Sequence, residues 1–196
     1  MPDIKKLSVF CGSSSGSDPV FAEQAMLLGR TLAGRGIEIV YGGASVGLMG
    51  AVADGAIAAE GKVTGVFPGF LQYLEIAHQG ISELIIVESM HERKTMMNAL
   101  CDGVIALPGG FGTLEELFEM LTWAQLGLHD KPVALLNIAG YYDHLKMLTE
   151  NMVTKGFLKE KNREMLIIED DIGVMLDKLM NYSAPDVKKW LDEYKT

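Results

Sequence analysis

Two patterns of apolar positions alternate along the chain. Short, mainly apolar runs rich in β-branched residues, several of them continuously apolar, occupy 7–11, 37–41, 63–67, 84–87, 104–107 and 133–137, with a shorter one at 166–168. The continuous runs of that length predict parallel strands covered on both faces. Between them, apolar residues recur at helical spacing over 18–35, 47–60, 91–102, 113–128 and 141–155. Residues 170–196 read as one or two short helices packing on the outside. This βαβ rhythm predicts an α/β fold, a doubly wound, Rossmann-like parallel sheet with helices on both faces. No linker, internal repeat or low-complexity tract breaks the rhythm, so 1–196 reads as one Rossmann-like nucleotide-binding domain. At this length about 70% of the unfolded chain's surface can be buried.

Ligands of open α/β sheets bind at the carboxyl ends of the strands, and four turns there are rich in ligand-competent residues. Strand one is followed by Cys11-Gly12-Ser13-Ser14-Ser15-Gly16-Ser17, and strand two by Gly42-Gly43-Ala44-Ser45-Val46-Gly47-Leu48-Met49-Gly50. Strand four runs into Met90-His91-Glu92-Arg93-Lys94, and strand five into Pro108-Gly109-Gly110-Phe111-Gly112-Thr113-Leu114-Glu115-Glu116. Local structure accounts for part of each. Ser17 or Asp18 would cap the first helix with Pro19 behind it. The small residues after Gly47 would let the second helix lie close to the sheet.

The turn after strand five is the most informative. An apolar strand, a glycine turn and an amphipathic helix in succession leave unpaired N–H groups at a helix N-terminus, where the dipole adds positive potential. Anions bind there, phosphate above all. Glycines let a backbone approach a phosphate without Cβ clashes. Glu115 and Glu116 then read as first-turn acids, and Thr113 with Glu116 fits the spacing of a capping box. An acid beside a phosphate cup equally invites chemistry. Arg93 and Lys94, at a helix start, oppose the dipole, which suggests a use elsewhere. Arginine offers a planar fork for phosphate or carboxylate.

Charge and composition narrow the partners. The net charge of −9 argues against nucleic acid. No apolar run is long enough to span a membrane, and the first residues lack the layout of a signal peptide. The two cysteines, Cys11 and Cys101, read as buried free thiols of a cytoplasmic protein. No His, Cys and Asp set forms a metal site, and no cofactor is implied. His78 reads as a loop residue with a local hydrogen-bond partner. The glycine turns are neither G-x-G-x-x-G nor followed by a Walker lysine.

Pro108-Gly109-Gly110-x-Gly112-Thr113-x-x-Glu116, preceded by Met90-His91-x-Arg93-Lys94, resembles the LONELY GUY (LOG) family of cytokinin riboside 5′-monophosphate phosphoribohydrolases. The resemblance runs from Ser8 to about Phe157 and takes in the 42–50 loop, Gly65-Val66-Phe67-Pro68 and Thr122-Trp123-Ala124-Gln125-Leu126-Gly127. It implies hydrolysis of the N-glycosidic bond of a nucleoside 5′-monophosphate, a cytokinin nucleotide or AMP, to free base and ribose 5-phosphate. Arg93 and Glu116 match the catalytic pair. Phosphate and ribose contacts fall on Gly110, Phe111, Gly112, Thr113, Leu114, Glu115 and Glu116, with Lys94 and Thr122. Glu75 matches a position near the base or ribose. Met90, Gly109, Gly12, Ser13, Gly42, Gly43 and Gly47 complete the expected substrate-binding set. A homodimer with apolar helices in contact near the active-site rim is also implied. Members of this family have often been labelled lysine decarboxylases, yet no lysine stands out as a pyridoxal phosphate site.

Two other readings compete. One is a non-catalytic nucleotide or molybdenum-cofactor carrier or sensor with the same phosphate cup. The other is a nicotinamide-dependent oxidoreductase, against which the absent G-x-G-x-x-G and the lack of a ribose-binding acid after strand two count.

Overall fold

All seven apolar runs become strands of one sheet. A computed structural model describes residues 3–73 and 76–185. The strands are β1 (Lys6–Phe10), β2 (Glu38–Tyr41), β3 (Val63–Pro68), β4 (Glu83–Val87), β5 (Gly103–Ala106), β6 (Val133–Leu136) and β7 (Leu166–Glu169). Every neighbouring pair is parallel, in the order β4-β3-β2-β1-β5-β6-β7. The order reverses between β1 and β5, where Val9 pairs with Tyr41 on one side and Ile105 on the other. Successive connections then leave toward opposite faces and open a crevice at the strand ends.

The helices are α1 (Pro19–Gly34), α2 (Gly47–Ala58), α3 (Met90–Leu100), α4 (Phe111–Gln125), α5 (Asp143–Thr154), the single turn α6 (Glu160–Arg163) and α7 (Ile172–Met180). Short 3₁₀ turns occupy Gly69–Tyr73 and Ile138–Gly140. On one face Leu28 and Leu32 of α1, Val52 of α2 and Met175 and Leu176 of α7 pack on Leu7, Ile39, Ile105 and Leu136. On the other, Met97 of α3 and Leu117 and Met120 of α4 pack on Phe10, Val104 and Leu135. Burying these side chains supplies the main driving force for the fold.

Three expectations need adjusting. The tail helix α7 is not an external addition, because Ile172, Met175, Leu176 and Leu179 are buried in the first core. Residues 186–196, included in the same expectation, lie outside the described residues. The small residues of α2 serve a close approach to α1 instead of the sheet: a Cβ on Gly55 would overlap the Met26 carbonyl, and one on Gly29 the Val52 carbonyl. Finally, α4 begins at Phe111, two residues before the expected start. Among the described residues, no helix is long and apolar enough to cross a membrane.

Candidate active site

The four glycine- and cation-bearing turns meet at the β1/β5 switch point around a cavity of about 340 Å³. Cys11, Gly12 and Ser13 line it from the end of β1, and Met49 from α2. Leu71 contributes from the 3₁₀ turn, Met90 and Arg93 from α3, and Gly110, Phe111, Gly112, Thr113, Glu115 and Glu116 from the start of α4.

The floor is stitched by backbone bonds. Gly12 N–H donates to the Pro108 carbonyl (3.0 Å) and Leu48 N–H to the Gly12 carbonyl (3.1 Å). From the far side, Tyr142 Oη donates to the Leu107 carbonyl and Tyr141 Oη to the Gly109 carbonyl, each at 2.6 Å. Gly47 has φ +59°, and a Cβ there would overlap the Ser13 backbone. A left-handed position against a neighbouring main chain admits only glycine without strain.

Gly110 is the N-cap of α4 and supplies no side-chain cap. The first helical amide that finds a backbone partner is Leu114 N–H, on the Gly110 carbonyl (3.2 Å). The N–H groups of Phe111, Gly112 and Thr113 are therefore left at the cavity edge, the arrangement that takes an anion. The expected Thr113–Glu116 capping box is not formed. With α4 starting at Phe111, Thr113 is the third residue of the helix and Glu116 the sixth, and both are buried. Half of such a box sits on α3 instead, with the return bond reaching the residue before the N-cap. Ser89 Oγ accepts from Glu92 N–H (3.1 Å), and Glu92 Oε2 accepts from Glu88 N–H (2.8 Å). Its signature, Ser89-x-x-Glu92, is readable in the sequence.

That cap fixes the start of α3 and places Arg93 one turn in, facing α4. Arg93 Nη1 lies 3.5 Å from Glu116 Oε1, with side chains 11% and 9% exposed. Arg93 Nε is buried without a hydrogen-bond partner among the described residues. The guanidinium is backed by Gly42, where a Cβ would overlap Nη2. Burial raises the Glu116 pKa to about 6 against the opposing pull of Arg93, and the neighbouring Glu115 charge raises it further. Burial likewise drives the Cys11 thiol upward, with Glu116 adding to the effect, so this cavity thiol stays protonated.

The other expected residues fall around this centre. Gly109 lies beneath Thr113, whose Oγ1 a Cβ would overlap, and Gly43 packs against Phe67. Leu114 faces the second core. Lys94 does not line the cavity: its Nζ binds Glu115 Oε1 (2.6 Å) and Glu119 (3.1 Å). Thr122 does not reach it either, because its hydroxyl donates to the Phe118 carbonyl (2.7 Å). Glu75 lies outside the described residues. His78 makes the expected local bond, accepting from Gly80 N–H (3.0 Å), and also pairs with Asp54 of α2 (3.1 Å). Tyr141 and Tyr142 join the site without a sequence signal. A second cavity, of about 360 Å³, lies between α1 and the start of α7; Asp170 and Asp171 line it and no cation does.

A parallel sheet with an uncapped helix N-terminus and a buried Arg–Glu pair at its switch point defines a nucleotide-handling α/β protein. The model of a family described as "possible lysine decarboxylase" matches residues 49–179. The chain is 47% identical over 178 residues to a probable cytokinin riboside 5′-monophosphate phosphoribohydrolase of Oryza sativa subsp. japonica, covering 91% of this chain and 80% of that one. It is 45% identical over 179 residues to a cytokinin riboside 5′-monophosphate phosphoribohydrolase of Arabidopsis thaliana, covering 91% and 82%. Among solved structures, the molybdenum cofactor binding protein of Rippkaea orientalis matches with a TM-score of 0.67 at 23% identity, covering 90% and 97%, a likeness of fold. The chain belongs to the LOG family of phosphoribohydrolases.

Proposed function

We propose that the protein hydrolyses the N-glycosidic bond of nucleoside 5′-monophosphates, cytokinin riboside 5′-monophosphate or AMP, to free base and ribose 5-phosphate. The observation that carries this reading is the buried Arg93–Glu116 pair beside the open amides of α4. The 5′-phosphate sits on the N–H groups of Phe111, Gly112 and Thr113. Its binding energy aligns C1′ with the side chains at the cavity wall. Cleavage of the C1′–N bond builds oxocarbenium character on the ribose. The Glu116 carboxylate stabilises that charge and orients or deprotonates the attacking water. Arg93 is too basic to give up a proton. It acts electrostatically, holding Glu116 and the phosphate or contacting the leaving base.

Within the same proposal the protein is a cytoplasmic homodimer. Phe111, 94% exposed, and the exposed Met90 put apolar surface beside the cavity, and Leu126 and Leu128 put more at the end of α4. A second copy would cover such surface. Light scattering coupled to size exclusion tests it, and a monomeric mass at micromolar concentration overturns it.

The activity is tested by incubating the protein with AMP and with N6-isopentenyl-AMP and quantifying free base by chromatography. Base release that is lost in Glu116→Ala is the expected result. A folded protein that releases no base from either nucleotide overturns the reading. A Glu116→Ala variant that still binds nucleotide separates a hydrolase from a carrier with the same cup.

A further inference from the structure

Two rungs of charge join α3 to α4. Arg93 faces Glu116 at 3.5 Å. One residue on, Lys94 Nζ donates to Glu115 at 2.6 Å and lies 3.1 Å from Glu119. The Lys94 side chain is 14% exposed, nearly as enclosed as that of Arg93, and its ammonium is spent on these two carboxylates. Burial alone would push Lys94 toward its neutral form, but its bonds to Glu115 and Glu119 hold it charged.

The placement of those carboxylates matters. Glu115 directly precedes Glu116, and Glu119 follows three residues on, at the spacing of side chains that share a helix face. The groups facing Glu116 are Arg93 and Lys94 from α3, Glu115 and Glu119 from α4, and the neutral thiol of Cys11 from the end of β1. Three acids within a turn and a half of helix would repel one another and favour protonation of the most buried. Lys94 offsets part of that repulsion.

We propose that Lys94 is a positioning residue, which offsets part of the charge of the two carboxylates flanking Glu116 and holds α4 against α3 at the separation where Arg93 meets Glu116. This rests on the reading in which Glu116 works as a carboxylate. It gives Lys94 a role through its neighbours instead of a direct phosphate contact.

The test is a carboxyl titration of protein labelled with 13C at the glutamate side-chain carboxyl, the Glu116 signal being assigned by its loss in Glu116→Gln. In Lys94→Met the Glu116 midpoint moves upward by about half a unit to one unit, the size of one partly screened charge. It returns toward the wild-type value in Lys94→Arg and when Glu115→Gln and Glu119→Gln are added to Lys94→Met. The acidic limb of kcat/KM for base release from AMP moves the same way, with KM changed less than about twofold. An unmoved midpoint with a raised KM overturns the proposal and makes Lys94 a substrate ligand. Should Lys94→Met not fold, Glu119→Gln alone lowers the Glu116 midpoint, and no change there also overturns it. A wild-type protein that releases no base refutes the hydrolase reading, while the titration still decides the role of Lys94.

Discussion

Replacing Glu116 by glutamine should make the protein more stable and inactive at once. The carboxyl titrates at about 6 in the folded protein, against an ordinary value of 4.5. A raised carboxyl pKa means the folded state holds its proton more tightly than the unfolded one, so stability falls as pH rises between these values. Below 4.5 the group is protonated in both states and no penalty applies; above about 6 the full penalty is present. A shift of this size corresponds to about 2 kcal/mol. Glutamine keeps the shape and an oxygen for Arg93 but carries no charge, so Glu116→Gln should gain about 2 kcal/mol at pH 8 and less than half of that at pH 5. For a chain of this length the gain at pH 8 raises Tm by about 4–8 °C. Urea unfolding at the two pH values, followed by circular dichroism, measures it. The same variant should lose about 10²-fold or more in kcat as the base and charge stabiliser disappear. An equal gain at both pH values would put the effect in packing, and a loss of stability at pH 8 would refute the reasoning.

Wild-type kcat/KM for AMP should fall as pH drops through about 6, because the working form of Glu116 is the carboxylate; a flat profile down to pH 5 contradicts that assignment. Gly42→Ala drives a methyl group into Arg93 Nη2. Misplacing the guanidinium by about 1 Å should cost about 10²-fold in kcat/KM, with unfolding changed far less, as steady-state kinetics beside a urea melt will tell. Tyr142→Phe removes the buried bond to the Leu107 carbonyl and should destabilise by about 1–3 kcal/mol in denaturant unfolding. Adenosine should be hydrolysed far more slowly than AMP in a head-to-head assay, because it forgoes the phosphate's contribution to alignment.

The sheet could be read from the chain because a strand buried on both faces must be apolar throughout, and β5 and β6 are buried at every position. The turns of the site were legible for the related reason that ligand-facing loops need glycines and unpaired amides. The start of α4 was not, because Gly-Phe-Gly offers no helix propensity or polar cap to announce it. Two residues of offset changed the meaning of Glu116. As a first-turn acid it is an ordinary dipole partner; as the sixth residue it lies on the buried face with Thr113, Leu117 and Met120. A signal for this existed, since Glu116 shares the helical spacing of those inward positions. A charge on an apolar stripe marks a site under functional pressure. The partners of Lys94, and the Tyr141 and Tyr142 bonds to the 107–109 loop, span more than twenty residues each. No local pattern carries them.

The arrangement also explains why two helices are needed to make one reactive carboxylate. On α4 alone Glu116 would be buried among acids, and the cheapest outcome would be a bound proton. Arg93 reaches it only because the Ser89 and Glu92 side-chain bonds at the helix start set the phase of α3, and because Gly42 leaves room for the guanidinium behind. At 3.5 Å the pair is close enough to oppose burial but too long for a good hydrogen bond, and the Glu116 pKa stays near 6. A tighter pair would hold the carboxylate as a plain salt bridge, with less basicity to lend to water. The site therefore accepts a stability cost that Glu116→Gln should return, and the two rungs of charge between α3 and α4 fix how large that cost is.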